Sequence, residues 1–141
     1  YQLCLGQFVY AAYKGVSPAN FYLGMIYLEG DFVPVNAEKA INYYVKGAAR
    51  NNAFCFFELS RLYQEGEHVE KNKKLEAQYL LRSAEEGFVY AQHNLGLAYH
   101  EGKLFKKDDY RALAWFRESI RNGNAASYYN AGKLLLNGDE S

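Results

Sequence analysis

This sequence predicts an all-α fold, an α/α solenoid of stacked antiparallel helix pairs, and three observations carry that expectation. A Leu-Gly step recurs every 36 residues, as Leu23-Gly24, Leu59-Ser60, Leu95-Gly96 and Ala131-Gly132. Two further registers keep the same interval: Tyr27, Tyr63, Tyr99 and Leu135, and Gly30, Gly66, Gly102 and Gly138. Within a unit the large side chains fall at helical spacing, with Ala19, Leu23 and Tyr27 at i, i+4 and i+8. Self-similarity at a fixed period marks a repeat array in which each unit buries its apolar face against the next.

Taken in order, residues 1–15 align with the second helix of a preceding unit, placing Gln7-Phe8 on Tyr43-Tyr44. Full units are expected at 16–51, 52–87 and 88–123, and 124–141 is expected to be the first helix of a further unit, so the array reads as a segment cut inside repeats at both ends. Ser17-Pro18 supplies a start signal for the first helix of unit one, a capping hydroxyl followed by proline at the first helical position. Gly24 beside Leu23 permits a neighbouring helix to approach closely, and Gly30 suits the left-handed conformation just past a helix end. Val33, Val69 and Phe105 recur in the connection, where they would plug the space between two helices. Asn36, Asn72 and Asp108 follow as short polar caps of the second helix. That helix carries Tyr43-Tyr44, Tyr79-Leu80 and Trp115-Phe116, then Gly47-Ala48, Ser83-Ala84 and Ser119-Ile120. Large side chains in one turn and mostly small ones in the next allow two helices to interdigitate. Gly15, Asn51, Gly87 and Gly123 coincide between units.

These residues resemble the Sel1-like repeats, relatives of the tetratricopeptide repeats. The family pattern is similar to A-x-x-x-L-G-x-x-Y-x-x-G, a short loop, K-A with a W/Y-Y pair, and A-A-x-x-G. Ala19, Leu23, Gly24, Tyr27, Gly30, Lys39-Ala40, Tyr43-Tyr44 and Ala48-Ala49 match it in unit one. Ala91, Leu95, Gly96, Tyr99, Gly102, Arg111-Ala112, Trp115-Phe116 and Gly123 match it in unit three. The resemblance covers essentially the whole chain and implies a right-handed superhelix. Unit two departs with Cys55, Ser60 and Glu76, which implies looser or displaced packing there, and Phe32, His68 and Leu104 replace the second loop glycine.

Composition limits the function classes. The chain has 141 residues, 50% of them hydrophobic, enough for one short, well-buried array. Its 16 Lys and Arg balance 16 Asp and Glu, which offers a polyanion no long-range attraction and disfavours nucleic acid. Two cysteines are too few for a disulfide framework. No apolar run approaches the roughly 20 residues of a membrane-spanning helix.

Candidate binding residues are those on the first helices that the packing pattern leaves over: two before the Leu of the Leu-Gly step, two after it and five after it. They are Phe21, Met25 and Leu28; Phe57, Arg61 and Gln64; His93, Leu97 and His100; and Tyr129, Lys133 and Leu136. On the inner surface of such an array this row reads as a groove for a helix or extended peptide, with apolar anchors among a few polar contacts. For Phe21, Phe57 and Tyr129 the competing reading is packing between adjacent helices. His93 and His100 lie two turns apart with Leu97 between them, which favours partner contact or solvation over a metal site. Glu29, Glu65 and Glu101 recur as the glycines do and read as structural, bonded to nearby backbone or to a cation of the next repeat. Cys4 and Cys55 stand at small-residue positions and read as buried hydrophobes. Glu65 to Lys74, EGEHVEKNKK, reads as a solvated loop and helix start, and neither a cofactor motif nor a nucleophile motif is present.

The expected function is therefore non-enzymatic: a scaffold or adaptor that captures a protein or peptide partner and self-associates through its open ends. The resemblance implies assembly, signalling, host-interaction or effector-neutralising (immunity) roles. Cysteine-rich bacterial relatives associated with β-lactam binding or hydrolysis carry a cysteine pair in each repeat, and this chain does not.

Overall fold

A computed structural model describes residues 17–30 and 32–140; the side chains of residues 17, 18 and 137–140 are not among those described. The expected helix at 1–15, with Cys4, lies outside the described residues. Among the described residues seven helices follow one another: α1 (Ser17–Glu29), α2 (Ala37–Ala49), α3 (Ala53–Glu65), α4 (Lys73–Glu85), α5 (Val89–Glu101), α6 (Asp109–Arg121) and α7 (Ala126–Glu140). α1, α3 and α5 each pack most closely on the even-numbered helix that follows, and each even-numbered helix also packs on the first helix of the next unit. No strand occurs among the described residues, and none of their helices is long and apolar enough to cross a membrane.

The turns repeat as the sequence does. Gly30, Gly66 and Gly102 adopt φ of 75°, 68° and 73°, ending α1, α3 and α5 in the left-handed region. The chain is then drawn back by one recurring bond: the amides of Asn36, Asn72 and Asp108 donate to the carbonyls of Tyr27, Tyr63 and Tyr99 at 2.8, 3.2 and 3.0 Å. The same three residues use their side chains to accept from the amides of Lys39, Leu75 and Arg111, capping α2, α4 and α6. Gly138 does not end its helix; it lies inside α7, where no equivalent bond returns the chain among the described residues. Of the residues replacing the second loop glycine, Leu104 takes a left-handed φ, 66°. Between units, Asn51, Gly87 and Gly123 share a left-handed turn at φ 63°, 99° and 99°, Asn being the side chain that tolerates it best.

The core explains the Leu-Gly step. A Cβ on Gly24 would overlap the Tyr44 ring, and one on Gly96 would come within 2.6 Å of Phe116. Tyr44 and Phe116 are fully buried and hold the same register. In unit two the corresponding pair is Ser60 and Leu80: the smaller Leu80 leaves room for a hydroxyl, which donates to the Glu76 carbonyl at 2.8 Å. Unit two is therefore a different solution to the same packing problem, and Leu59, Ser60 and Leu62 are all nearly inaccessible. Ser83 and Ser119 tie their helices to the start of the preceding one, donating to the carbonyls of Ala53 and Val89 at 2.7 and 3.1 Å. Cys55 is buried beside Gly47, and burial pushes its thiol up to about 12, so it is an inert packing residue.

Candidate functional site

The register that builds the core also decides which first-helix residues remain for binding. Between α3 and α5, closed at one end by the loop before α4, lies a groove of about 1030 Å³. Phe57, Leu80, Leu97, Ala98 and Leu104 supply its apolar surface. Arg61, Gln64, Asn94 and Glu101 line it from the first helices, and Tyr63, Lys71, Lys73 and Glu76 from the end of α3, the loop and the start of α4.

Four of the twelve candidate residues, Phe57, Arg61, Gln64 and Leu97, meet in this groove. Phe57 has a double position, lining the groove while its ring packs edge-on against Phe88 at 5.0 Å. Arg61 is anchored by Glu58 of its own helix and by Glu65 at 3.3 Å, and the bond to Glu58 holds the guanidinium more firmly charged. Phe21, Met25 and Leu28 sit on α1 and are half-buried; Phe21 touches the Tyr44 and Phe54 rings at 6.4 and 5.4 Å. Tyr129, Lys133 and Leu136 are exposed on α7, with the Lys133 ammonium 5.3 Å from the Tyr129 ring.

The histidines have partners within the chain. His93 reaches across the unit boundary, with Nδ1 at 2.7 Å from Ser127 Oγ and Nε2 at 3.5 Å from Asn130 Nδ2, while its ring lies on Phe116. Since an amide nitrogen only donates, Nε2 accepts and Nδ1 carries the proton toward Ser127, an arrangement that needs a neutral ring. His100 binds Asp109 at 2.9 Å. Among the described residues no three His, Cys, Asp or Glu side chains converge on a point. The recurring glutamates pair within their own units, Glu65 with Arg61 and Glu101 with Lys103 at 3.3 Å. For Glu65 and Glu101 these local pairs stand where nearby backbone or a repeat-to-repeat cation was expected, because a basic residue four positions away on a helix, or just past its end, is the nearer partner.

Burial holds the His93 imidazole below its ordinary value of 6.5. In the window below that value the unfolded chain binds the proton more readily than the folded one. Stability from neutral His93 is therefore complete above that value and is lost as the pH falls below it and on through the lower folded-state value. Thermal unfolding should shift downward as the pH falls below about 6.5, and His93→Gln should remove part of that shift. An unchanged shift in the variant would place the titration elsewhere.

Sequence reasoning missed two features of this region. Lys71 and Lys73, within the run expected to be a solvated loop and helix start, form a wall of the groove, and among the described residues they make no ion pair within 4 Å. Glu76 beside them is held above the usual carboxylate range, first by burial and against the pull of Lys73. The second feature is a set of exposed rings at the starts of α3 and α5. Phe54 and Tyr90 are 49% and 60% accessible and stand 36 residues apart, a periodicity outside the residues the core requires.

Comparison with known proteins fits the repeat geometry. The Sel1 repeat model matches residues 17–52, 57–88 and 89–124. The chain belongs to the Sel1 repeat family. A Sel1 repeat protein from Oxalobacter formigenes has a similar crystal structure, with a TM-score of 0.85 at 28% identity, covering 92% of this chain and 97% of that one. The structure of c5321, a protective antigen present in uropathogenic Escherichia coli strains, gives 0.83 at 30% identity over 93% of this chain, which spans 28% of that longer protein. Helicobacter pylori cysteine rich protein B gives 0.66 at 20% identity, covering 87% of this chain and 93% of that one, a likeness of fold alone. No curated protein matches the sequence. Sel1 repeats are generally scaffolds for protein–protein interaction and are typically non-enzymatic.

Proposed function

We propose that this Sel1 repeat array captures a segment of a protein partner in the groove between α3 and α5, without catalysing a reaction. The groove itself carries the reading: an apolar surface from Phe57, Leu97 and Leu104, bordered by Gln64, Asn94 and the cations of the loop, on a rigid frame of packed helices. Apolar anchors give such a site affinity and the polar border gives it orientation. Of the twelve candidates, Phe57, Arg61, Gln64 and Leu97 act here directly. His93 acts as a joint between units, and Phe21, Met25 and Leu28 extend the first-helix row on α1.

Leu97 is the residue to test, because it is half-buried at the groove and packs only partly into the core. Leu97→Asp should weaken partner capture by the full-length protein at least about tenfold, with the helical circular dichroism signal retained. Undiminished capture would move the binding surface away from the groove.

Self-association through α7 is a second reading, supported by Tyr128, Tyr129, Leu135 and Leu136, all at least half exposed on one helix. Light scattering over a dilution series should then show a concentration-dependent mass that Leu136→Glu abolishes. A constant monomer mass throughout would dismiss it.

A further inference from the structure

The groove is one end of a longer track. Tyr22 touches Phe21 at 5.4 Å, Phe21 touches Phe54 at 5.4 Å, Phe54 touches Phe88 at 4.9 Å, and Phe88 touches Phe57 at 5.0 Å, which opens into the groove. Phe88 joins this row at the expense of its own helix. It occupies the position at which Asn52 and Asn124 cap α3 and α7 with their side chains, and α5 has no side-chain cap. From Phe54 to Gln64 the track follows ten steps of α3, about 15 Å, the length of roughly five extended residues.

The far end differs in charge. Four cations line the groove, Arg61, Lys71, Lys73 and Lys103, against two carboxylates, Glu76 and Glu101, on a chain whose formal net charge is zero. Arg61 is engaged by Glu58 and Glu65, and Lys103 by Glu101. Lys71 and Lys73 make no ion pair within 4 Å among the described residues, and Glu76 feels the charge of Lys73 only from farther off.

We infer that the occupant is an extended peptide segment of defined polarity, apolar or aromatic at the end lying on Phe54 and Phe88, and bearing Asp or Glu at the end facing Lys71 and Lys73. This assignment rests on the groove reading and adds the partner's chemistry to it. Rings at one end and ammonium groups outside any close ion pair at the other fix the direction in which the segment lies.

The test is selection of a random library of roughly ten-residue displayed peptides on the immobilised protein. Enriched peptides are then resynthesised and titrated against wild type, Lys71→Glu/Lys73→Glu and Leu97→Asp. Lys71 and Lys73 are exposed, and Lys73 opens α4, where a glutamate favours the helix, so the double variant keeps the fold. The expected result is enrichment of apolar-then-acidic sequences whose binding weakens about tenfold in the double variant and falls with added salt. Enrichment of neutral or basic peptides, or acidic peptides bound equally by the double variant, overturns the charge assignment; the groove stands if those peptides are lost on Leu97→Asp. Peptides indifferent to Leu97→Asp overturn the groove reading and this inference together.

Discussion

Phe116→Ala is expected to cost about 3–5 kcal/mol. The ring is wholly inaccessible, sits against Gly96 and His93, and belongs to the core formed by Leu80, Ala84, Leu95, Ala112 and Leu134. Truncation removes its apolar area from the core and leaves a cavity between two helices whose backbones are already in place, so collapse recovers little. Because each unit touches only its neighbours, the loss should be concentrated in α5 to α7. Urea unfolding with hydrogen exchange would show early opening there, whereas a loss under about 1 kcal/mol would mean that the ring is not a core element.

The second large effect concerns Gly96. Its register mate in unit two is Ser60, tolerated because Leu80 stands where unit three has Phe116. Gly96→Ser against the intact Phe116 ring should cost about 2 kcal/mol through overpacking. Combined with Phe116→Leu, which alone costs roughly 1 kcal/mol, the serine should become largely tolerable, for two reasons. The ring edge is gone, and the new hydroxyl can donate to the Ala112 carbonyl, as Ser60 donates to that of Glu76. A double-mutant cycle should therefore give a favourable coupling of about 1 kcal/mol, and simple additivity would refute the pairing.

This exchange shows what kind of information the sequence carried openly. The helices, their stops at Gly30, Gly66 and Gly102, and the caps at Asn36, Asn72 and Asp108 were legible because each depends on one residue's backbone preference repeated at a fixed interval. Ser60 read as a defect because its compensation, Leu80, lies a helix away and is not visible in the local pattern. The candidate site was legible only in part. A spacing rule finds residues on the face of a helix, and it found Phe57, Arg61, Gln64 and Leu97. It does not see that the loop folds back, which is what carries Lys71 and Lys73 to the groove. Nor does it see that His93 finds Ser127 in the next unit, since contacts across units depend on how the helices stack. The periodic pair Phe54 and Tyr90, with Phe88 in place of a capping asparagine, was the one available sign of the aromatic track.

The most direct measurement is amide chemical-shift mapping of the labelled protein during titration with a captured partner peptide. The groove reading predicts the largest changes at Ser60, Gln64, Asn94, Leu97, Ala98 and Glu101, with smaller ones at Lys71 and Lys73. Changes confined to the outer surface of the second helices, around Val45 and Tyr110, would contradict it.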